Sequence, residues 1–313
     1  MGRVMPKLKL FPFLEAIFTV VVWGATFIAT KIALQEVSPA TIVWLRFGMG
    51  VIILGIAVLS RRQFALPERN DWPYFALLGF IGVTFHQWLQ ANGLKTAQAT
   101  TTAWIVAITP IFIALLGWLV LKEKFGWVRI LGITLAAFGV LLIVSGGNLS
   151  ALFSGRVGSI GDLLILISAV NWSIYTVLSR RELAKHPAAR MMFYVMLFGW
   201  LFTTIWIFGF GPQLREVGSL DSKGWEAILF LGIFGSGLAY IAYYDALQAI
   251  PASRLGVFLN IEPLVTTLLA ASLLGEPITA IVLIGGAIII FGIYLVNRKE
   301  TEKKISPLPA EVG

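Results

Sequence analysis

Residues 76–82 read ALLGFIG, and residues 229–235, which lie 153 positions later, read LFLGIFG. The same offset extends the match without gaps over residues 76–142, and an offset of 149 adds two pairs nearer the start of each half. Most of the aligned residues are glycines, prolines and charged residues, so the second half of the chain repeats the first. The superimposed pairs are Gly79 and Gly232, Gly82 and Gly235, Leu94 and Leu247, Ala99 and Ala252, Pro110 and Pro263, Glu123 and Glu276, Gly132 and Gly285, Gly139 and Gly292, Trp23 and Trp172, and Lys31 and Arg180.

The composition is that of a membrane protein. Of the 313 residues, 58% are hydrophobic and 13% are charged, whereas a soluble domain has about 25% charged residues. The apolar residues form long blocks, each able to cross a hydrocarbon core of about 30 Å as a helix of about 20 residues. The sequence therefore predicts an all-α polytopic membrane protein with ten transmembrane helices. The predicted spans are 14–34, 40–60, 73–92, 99–121, 127–146, 160–179, 190–210, 226–247, 252–274 and 278–297.

Five spans per repeat determine how the two copies lie in the bilayer. An odd number of spans places the second copy upside down relative to the first, and inverted repeats are typical of secondary transporters, which bind substrate between the copies. We predict the first five-helix repeat at 14–146 and the second at 160–297, joined by a Gly- and Ser-rich connection. Residues 298–313 are charged and lack an apolar pattern, so we expect a disordered cytoplasmic tail.

The distribution of positive charge predicts the orientation. The chain has a net charge of +8, from 24 Lys and Arg residues against 16 Asp and Glu residues. With the N-terminus in the cytoplasm, most Lys and Arg residues fall in cytoplasmic loops, as the positive-inside rule requires. We therefore predict a multi-pass protein of the plasma (inner) membrane with both termini cytoplasmic and no nucleic-acid partner. The exceptions are Lys95, Arg156, Arg215 and Lys223 on the other side, and Lys31 and Arg46 within spans.

Residues that the sequence lacks argue against an enzyme. It contains no cysteine, which excludes disulfides and thiolate metal sites. Its two histidines, His86 and His186, are too few for a metal triad or a Ser–His site. There is no phosphate-binding Gly-rich loop with its Lys, and Phe234 stands where a nucleophile elbow around Ser236 would need its first glycine. We predict no enzymatic activity, no metal and no cofactor.

Two features of the repeats have two interpretations each. Pro110 and Pro263 fall within the fourth and ninth predicted spans, where a proline removes a helical hydrogen bond and kinks the helix. Their paired placement favours a role in gating over simple packing. Small residues line the fifth and tenth spans, which favours packing within the chain but also permits a homodimer through these helices. These small residues are Gly132, Ala136, Gly139, Gly285, Gly286 and Gly292.

Charged side chains deep in predicted spans mark candidate functional positions, because burying an unpaired charge in a bilayer is costly. Arg46 either captures a solute carboxylate or phosphate or pairs with an acid such as Glu262. Glu262, directly before Pro263, is either a proton or cation carrier or a hydrogen-bond partner of the backbone that the proline frees. Lys31, near the end of the first span, either takes part in gating or extends to the membrane surface.

Polar and aromatic side chains form a second set of candidates. Any one of them alone is more often a satisfied contact between helices, but the set predicts an amphipathic pocket for a small zwitterionic or aromatic solute. Glu123 and Glu276 precede the fifth and tenth spans and are predicted as helix caps or gate-closing salt bridges. The predicted substrate-binding residues are Arg46, His86, Trp172, Tyr175 and Tyr240, and Gln87, Gln90, Asn171, Tyr243 and Tyr244 lie near them in sequence.

A doubled set of motifs is typical of one known family. The first copy has Trp23-Gly24-Ala25-Thr26-Phe27, Lys31, Arg46, the run 91–99, Pro110, Glu123, Gly132 and Gly139, and the second has Trp172, Tyr175, Ala246-Leu247, Ala252, Glu262-Pro263, Gly275-Glu276, Gly285 and Gly292. With this set the chain resembles the drug/metabolite transporter superfamily, in particular the EamA-type ten-helix metabolite exporters, over nearly its full length. In the second copy Trp172-Ser173 replaces Trp-Gly, and Arg46 has no counterpart.

The resemblance implies two inverted five-helix repeats around a central cavity, with helices five and ten at the periphery. Members of the family export amino acids, other small metabolites or drugs, and relatives exchange sugar nucleotides and phosphosugars. We therefore predict a secondary transporter that exports small amphipathic metabolites, amino acids or their derivatives, by alternating access. The alternatives are a sugar-nucleotide or organophosphate exchanger, a multidrug efflux protein, and a non-transporting membrane partner subunit.

Overall fold

A computed structural model of the chain describes residues 10–121, 126–148, 158–211, 213–249, 255 and 258–297. Within these residues the structure is helical and contains no strand. A 3-10 segment, Gln213–Ser219, joins the eighth helix to the ninth. The helices are α1 Phe11–Ala33, α2 Pro39–Ser60, α3 72–93, α4 Ala99–Ala107, α5 Thr109–Leu121, α6 Trp127–Val144, α7 Ile160–Leu183, α8 Ala188–Phe210, α9 Ser222–Ala249, α10 Glu262–Leu273 and α11 Ala280–Asn297.

The prediction of an all-α polytopic membrane protein is confirmed. Eight helical stretches among the described residues are long and apolar enough to cross a membrane. At the third predicted span, the second half of α3 carries His86, Gln87 and Gln90, which lower its hydropathy. At the ninth, α10 has only 12 residues. The count of ten spans is therefore met only when α3 and α10 also cross the bilayer.

The contacts between helices relate the two repeats to each other. Helix α1 packs against α9 and α10, and its counterpart α7 packs against α3, α4 and α5. Helix α2 packs against α8 and α9, and its counterpart α8 packs against α2 and α3. Helices α6 and α11 pack against each other. Each helix thus meets the equivalent members of the other repeat, which places the interface between the repeats at the centre of the bundle.

The small-residue faces of α6 and α11 are used within the chain. A Cβ added to Gly132 would lie 2.7 Å from the carbonyl oxygen of Gly292, and one added to Gly139 would lie 2.7 Å from that of Gly285. These distances leave no room for larger side chains. Small residues allow helix backbones to approach this closely in lipid. The small residues therefore serve packing within the chain, as the sequence favoured. A homodimer through the outer faces of these helices stays a prediction.

Pro110 and Pro263 begin helices instead of kinking them. The fourth predicted span divides into α4 and α5 at Ile108, whose ψ of 2° leaves the helical range. In the ninth, the described chain makes a turn at Asn260 and Ile261 before α10 begins. Each proline is the second residue of its helix, where it removes an N–H that would have no helical partner anyway. The expected kinks are therefore breaks between separate helices.

Two π-helical segments, which the sequence analysis did not predict, occupy matched positions. They are Phe80–Phe85 in α3 and Phe230–Leu238 in α9. The repeat offset of 153 carries the first segment onto residues 233–238, the end of the second. A π segment shifts the backbone hydrogen bonds by one residue and is frequent at functional sites. Both segments lie at the centre of the bundle, where the repeats meet.

Candidate functional site

Arg46 on α2 lies where the two repeats meet. Its side chain is buried, with the residue 6% exposed. Its Nε donates a hydrogen bond to Ser236 Oγ at 3.0 Å, and its Nη1 donates to Gln87 Oε1 at 3.2 Å. Within the described ranges, no carboxylate forms a salt bridge with Arg46. The expected alternative, a buried pair between Arg46 and Glu262, is therefore not found.

A narrow cavity lies beside Arg46, between α1, α2 and α3. It has room for about one water molecule at its centre. In this conformation the cavity is too narrow for a metabolite, so the surrounding helices must separate before a solute can enter. Its polar lining comes from Thr26, Thr30, Arg46, Gln87 and Gln90, and Phe27 contributes an aromatic face.

A run of aromatic side chains extends from α3 to α7. The His86 ring lies 4.7 Å from the Trp172 ring, which stacks on Tyr175 at 4.8 Å between centroids. His86 Nδ1 lies 3.2 Å from the Ser168 carbonyl oxygen, and because a carbonyl only accepts, Nδ1 must carry the hydrogen. Tyr175 also hydrogen-bonds to the Tyr244 side chain. The cluster thereby joins α3 and α7 to α9.

The five predicted substrate-binding residues are neighbours in the structure. Arg46 contacts Gln87, next to His86, and lies close enough to Tyr240 for an electrostatic interaction. The aromatic run then connects His86 to Trp172 and Tyr175. Of the five, Arg46 lines the cavity, and the other four lie outside its lining. Their role in binding a substrate stays a prediction.

Ser236 is a contact of Arg46 that the sequence analysis did not select. It is fully buried and lies within the π segment of α9. A Cβ added to Gly50, one turn after Arg46 on α2, would lie 3.0 Å from the Ser236 Cβ. This close approach lets the short serine side chain reach the guanidinium. The available signal was a serine between Gly235 and Gly237 in an otherwise apolar span.

Glu262 is the first residue of α10 and is partly buried. Its carboxylate has no hydrogen bond or ion pair within the part of the chain that the structure describes. The freed backbone at the proline therefore does not use it as a partner. The α1 backbone passes directly beside it, since a Cβ on Gly24 would lie 3.0 Å from the Glu262 carbonyl oxygen. Thr266 secures this contact by donating to the Gly24 carbonyl at 3.0 Å.

Lys31 and Glu276 join α1, α4 and the start of the last predicted span. Lys31 Nζ donates to the Ala97 carbonyl at 2.7 Å and lies 3.9 Å from Glu276 Oε1. The Glu276 carboxylate accepts hydrogen bonds from the N–H groups of Ala99 at 2.8 Å and Thr100 at 2.9 Å. Glu276 is thus both a cap and an ion-pair partner, but the helix that it caps is α4 of the other repeat. We call Lys31, Glu276 and the first turn of α4 the Lys31–Glu276 latch.

The equivalent residues of the other repeat lie outside the described part. Glu123 falls in the range 122–125, and nothing is described of the Arg180 side chain. A second ion pair joins the repeats at the opposite end of the bundle, where both Arg61 Nη atoms donate to the Asp245 carboxylate at 2.6 Å. The hydrogen-bonded carboxylate raises the pKa of the Arg61 guanidinium above its ordinary value. Ion pairs therefore tie the two repeats together at both ends.

A His/Asp/Glu cluster lies near the Arg61 end, where no metal triad was expected. The ligand atoms of Asp71, Glu182 and His186 lie within 4.8 Å of one another. Arg190 Nη2 lies 3.2 Å from His186 Nδ1, and because a guanidinium only donates, Nδ1 accepts and Nε2 carries the hydrogen. Nε2 faces the two carboxylates at 3.1 and 3.3 Å. With Lys185 3.1 Å from Glu182, the cluster fits an ion-pair network better than a metal site.

Comparisons with known proteins agree with this architecture. The sequence matches the model of the EamA-like transporter family over residues 11–145 and 159–298. An uncharacterized transporter of Archaeoglobus fulgidus is 29% identical over 282 residues, covering 90% of this chain and 96% of the relative. A probable terminal-alkyne amino-acid exporter of Streptantibioticus cattleyicolor is 26% identical over 287 residues, covering 90% and 92%. One crystal structure superposes with a TM-score of 0.65 at 22% identity, covering 91% of this chain and 95% of that one, and shows likeness of fold alone.

Proposed function

The chain belongs to the EamA-like transporter family, and we propose that it is a secondary transporter that exports small amphipathic metabolites, amino acids or their derivatives, by alternating access. In this proposal it lies in the plasma (inner) membrane with both termini cytoplasmic, as the distribution of Lys and Arg indicates. The observation that carries the proposal is the polar cavity beside Arg46. It is lined by α1, α2 and α3 of the first repeat, and Arg46 reaches across the interface between the repeats to Ser236. Substrates of inverted-repeat transporters bind at such an interface.

The chemistry of the site favours an amphipathic solute. The cavity combines one guanidinium with hydroxyl and amide groups, and an aromatic wall stands behind it. We propose that Arg46, His86, Trp172, Tyr175 and Tyr240 contact the substrate once the helices separate. The relative from Streptantibioticus cattleyicolor, which is described as a probable exporter of an amino acid, supports this substrate class. Among the described residues, the lining includes no second Lys or Arg, which disfavours a phosphorylated substrate.

The mechanical elements for alternating access surround the cavity. Four irregular positions lie beside the site: the breaks at Pro110 and Pro263 and the two π segments. Helices bend at such positions because their ladder of backbone hydrogen bonds is already interrupted there. Access from one end requires the Lys31–Glu276 latch to open, and access from the other requires Arg61 to leave Asp245. In this scheme Glu262, which has no partner among the described residues, carries the coupling proton.

Counterflow in proteoliposomes tests the proposal. Vesicles containing the purified protein are loaded with unlabelled amino acids one at a time, and uptake of the labelled compound is followed. We expect accelerated uptake for a subset of amphipathic amino acids. Sugar nucleotides and cationic drugs serve as comparison sets on the same preparation. Uptake that no amino acid accelerates, in protein that is monodisperse and correctly folded, contradicts the proposal.

A further inference from the structure

One guanidinium connects the two π segments. Arg46 binds Ser236, which lies inside the π segment of α9 in the second repeat, and Gln87, which follows the π segment of α3 in the first. The hydrogen bonds are 3.0 and 3.2 Å long and both leave the same buried side chain. A change in what Arg46 binds therefore alters the connection between α2 and both segments.

The charge of Arg46 is met by an aromatic ring instead of an acid, since its Cζ lies 4.9 Å from the centroid of the Phe47 ring. No carboxylate pairs with it in the described ranges, and its Nη2 makes no hydrogen bond there. A buried charge without a counter-ion is strongly unfavourable, so an anion that reaches it gains a large share of that energy. The side chain lines the cavity, which gives a solute direct access to the guanidinium.

The positive charge of the cavity limits which anion it can bind. Arg46 is the one cation among the described residues that line the cavity, so one negative charge balances it. A carboxylate matches the planar fork of the guanidinium with two parallel hydrogen bonds. A phosphate dianion would leave a second charge without a partner. The geometry therefore selects a monocarboxylate.

Resting on the proposed function, we propose that Arg46 binds the carboxylate of the transported amino acid through Nη1 and Nη2, and that this carboxylate displaces Gln87 from Nη1. Ser236 keeps its hydrogen bond to Nε, so α2 stays attached to α9 while α3 is released. Occupancy of the site thereby loosens the first repeat's π segment from α2. Gln87 and Ser236 are positioning residues, and Arg46 is the residue that touches the substrate.

The displacement has a kinetic consequence. Gln87 competes with the carboxylate for Nη1, so Gln87→Leu, which removes the competitor and keeps the size, lowers the apparent KM of counterflow. Ser236→Ala instead removes an orienting hydrogen bond and raises the apparent KM. A structural role for Gln87 alone would not lower KM.

The test compares acids with their matched amides. Counterflow of L-phenylalanine is measured in competition with L-phenylalaninamide, and the pair is repeated for each amino acid that the wild-type protein exchanges. We expect the amide to compete at least about tenfold more weakly than the acid. Arg46→Gln should weaken competition by the acid to the level of the amide. Gln90→Leu, a change in the same cavity at a residue that does not bind Arg46, should preserve the preference for the acid.

Each outcome decides the inference. If the amide and the acid are exchanged equally well by the wild-type protein, the proposed function stands and the assignment of Arg46 is overturned. If neither is exchanged, both are overturned. Should Arg46→Gln not assemble, Arg46→Lys keeps the charge without the planar fork, and an acid preference as strong as that of the wild type would contradict bidentate binding.

Discussion

The two repeats differ least in their backbone and most in their ionisable side chains. In each repeat a glycine of the π segment receives a side chain from the first helix of the other repeat. A Cβ on Gly82 would lie 2.5 Å from the Tyr175 ring, and a Cβ on Gly235 would lie 2.9 Å from the Thr26 methyl carbon. Thr26 and Tyr175 are themselves related by the offset of 149. The glycine contacts that let the helices approach each other are therefore present in both repeats.

The charges at the centre are not duplicated. The offset of 153 carries Thr109 onto Glu262, but the Thr109 hydroxyl donates to the Val106 carbonyl at 2.6 Å, whereas the Glu262 carboxylate has no partner among the described residues. Arg46 has no counterpart in the second repeat. The comparison teaches that both copies supply matched backbone contacts, while the first supplies the cation and the second supplies the acid.

The largest effect is expected from replacing Glu262, the acid of the second repeat. We predict that Glu262→Gln abolishes any pH dependence of counterflow while the protein still assembles, because the amide cannot take up or release a proton. Thr109→Val at the equivalent position of the first repeat is the matched control and should leave the pH profile unchanged. The measurement is the exchange rate as a function of pH, and a Glu262→Gln variant with the wild-type profile would remove Glu262 from coupling.

The next effect tests whether the duplicated glycine contacts are equally tight. Gly82→Ala should lower the melting temperature in detergent more than Gly235→Ala, because its added methyl group meets a buried aromatic ring at the shorter distance. Overpacking of this kind costs about 1–3 kcal/mol. Gly209→Ala, where a Cβ would meet nothing within 4 Å, is the control. Equal stability of the three variants would show that the backbones relax freely at these contacts.

The repeat itself was predictable because glycines, prolines and acids recur at fixed offsets. The long apolar blocks predicted the helical fold, and the small residues of the fifth and tenth spans predicted the close contact between α6 and α11. The polar and aromatic residues of the spans predicted that Arg46, His86 and Trp172 would be neighbours. Such features depend on periodicity and on composition, which a single sequence contains. The charge pattern predicts the orientation in the membrane, which stays a prediction.

The breaks and the π segments were not predictable in the same way. A proline inside an apolar run is compatible with a kink and with a break, and the decision depends on packing against α1 and α7. A π segment changes the register of the backbone without changing the composition. Ser236, one of the two partners of Arg46, and the helix that Glu276 caps each come from the other repeat, so no local pattern identifies them.

A smaller effect separates the two roles of Glu276. Glu276→Ala removes both the cap of α4 and the ion pair. Lys31→Met removes the ion pair and the hydrogen bond from Lys31 to the Ala97 carbonyl but leaves the cap in place. A lost cap costs about 0.5–2 kcal/mol, and a partly exposed ion pair contributes about 0.2–1 kcal/mol. We therefore expect the larger loss of thermal stability for Glu276→Ala. A loss in Lys31→Met as large as in Glu276→Ala would contradict the capping role.

The smallest effect concerns the connections outside the bundle. Glu216 accepts hydrogen bonds from the Ser38 N–H and the Thr41 hydroxyl, each at 2.8 Å. Gln63, which lies 153 positions earlier, has a buried Oε1 without a partner in the part of the chain that the structure describes. Burial alone would raise the pKa of the Glu216 carboxyl group, but these hydrogen bonds lower it below its ordinary value of 4.5. A carboxyl group whose pKa is lower in the folded protein than in the unfolded chain stabilises the fold at any pH above its unfolded pKa. That contribution is lost as the pH falls through the folded pKa.

Glu216→Gln should therefore lower the melting temperature by about 2–4 °C at pH 7. The difference from the wild type should disappear as the pH falls below 4.5. Melting curves of both proteins across this pH range provide the measurement. A difference that is constant with pH would mean that the carboxylate charge contributes nothing.

The most direct test of alternating access is the distance across the Lys31–Glu276 latch. The chain has no cysteine, so spin labels on Gln35→Cys and Ile278→Cys, both at exposed positions, report that distance without background. In lipid nanodiscs, pulsed electron paramagnetic resonance should show a short and a long distance. The long one should grow when Glu276 is changed to Gln and when an exchanged amino acid is added. A single distance that neither change alters would contradict alternating movement of the two repeats.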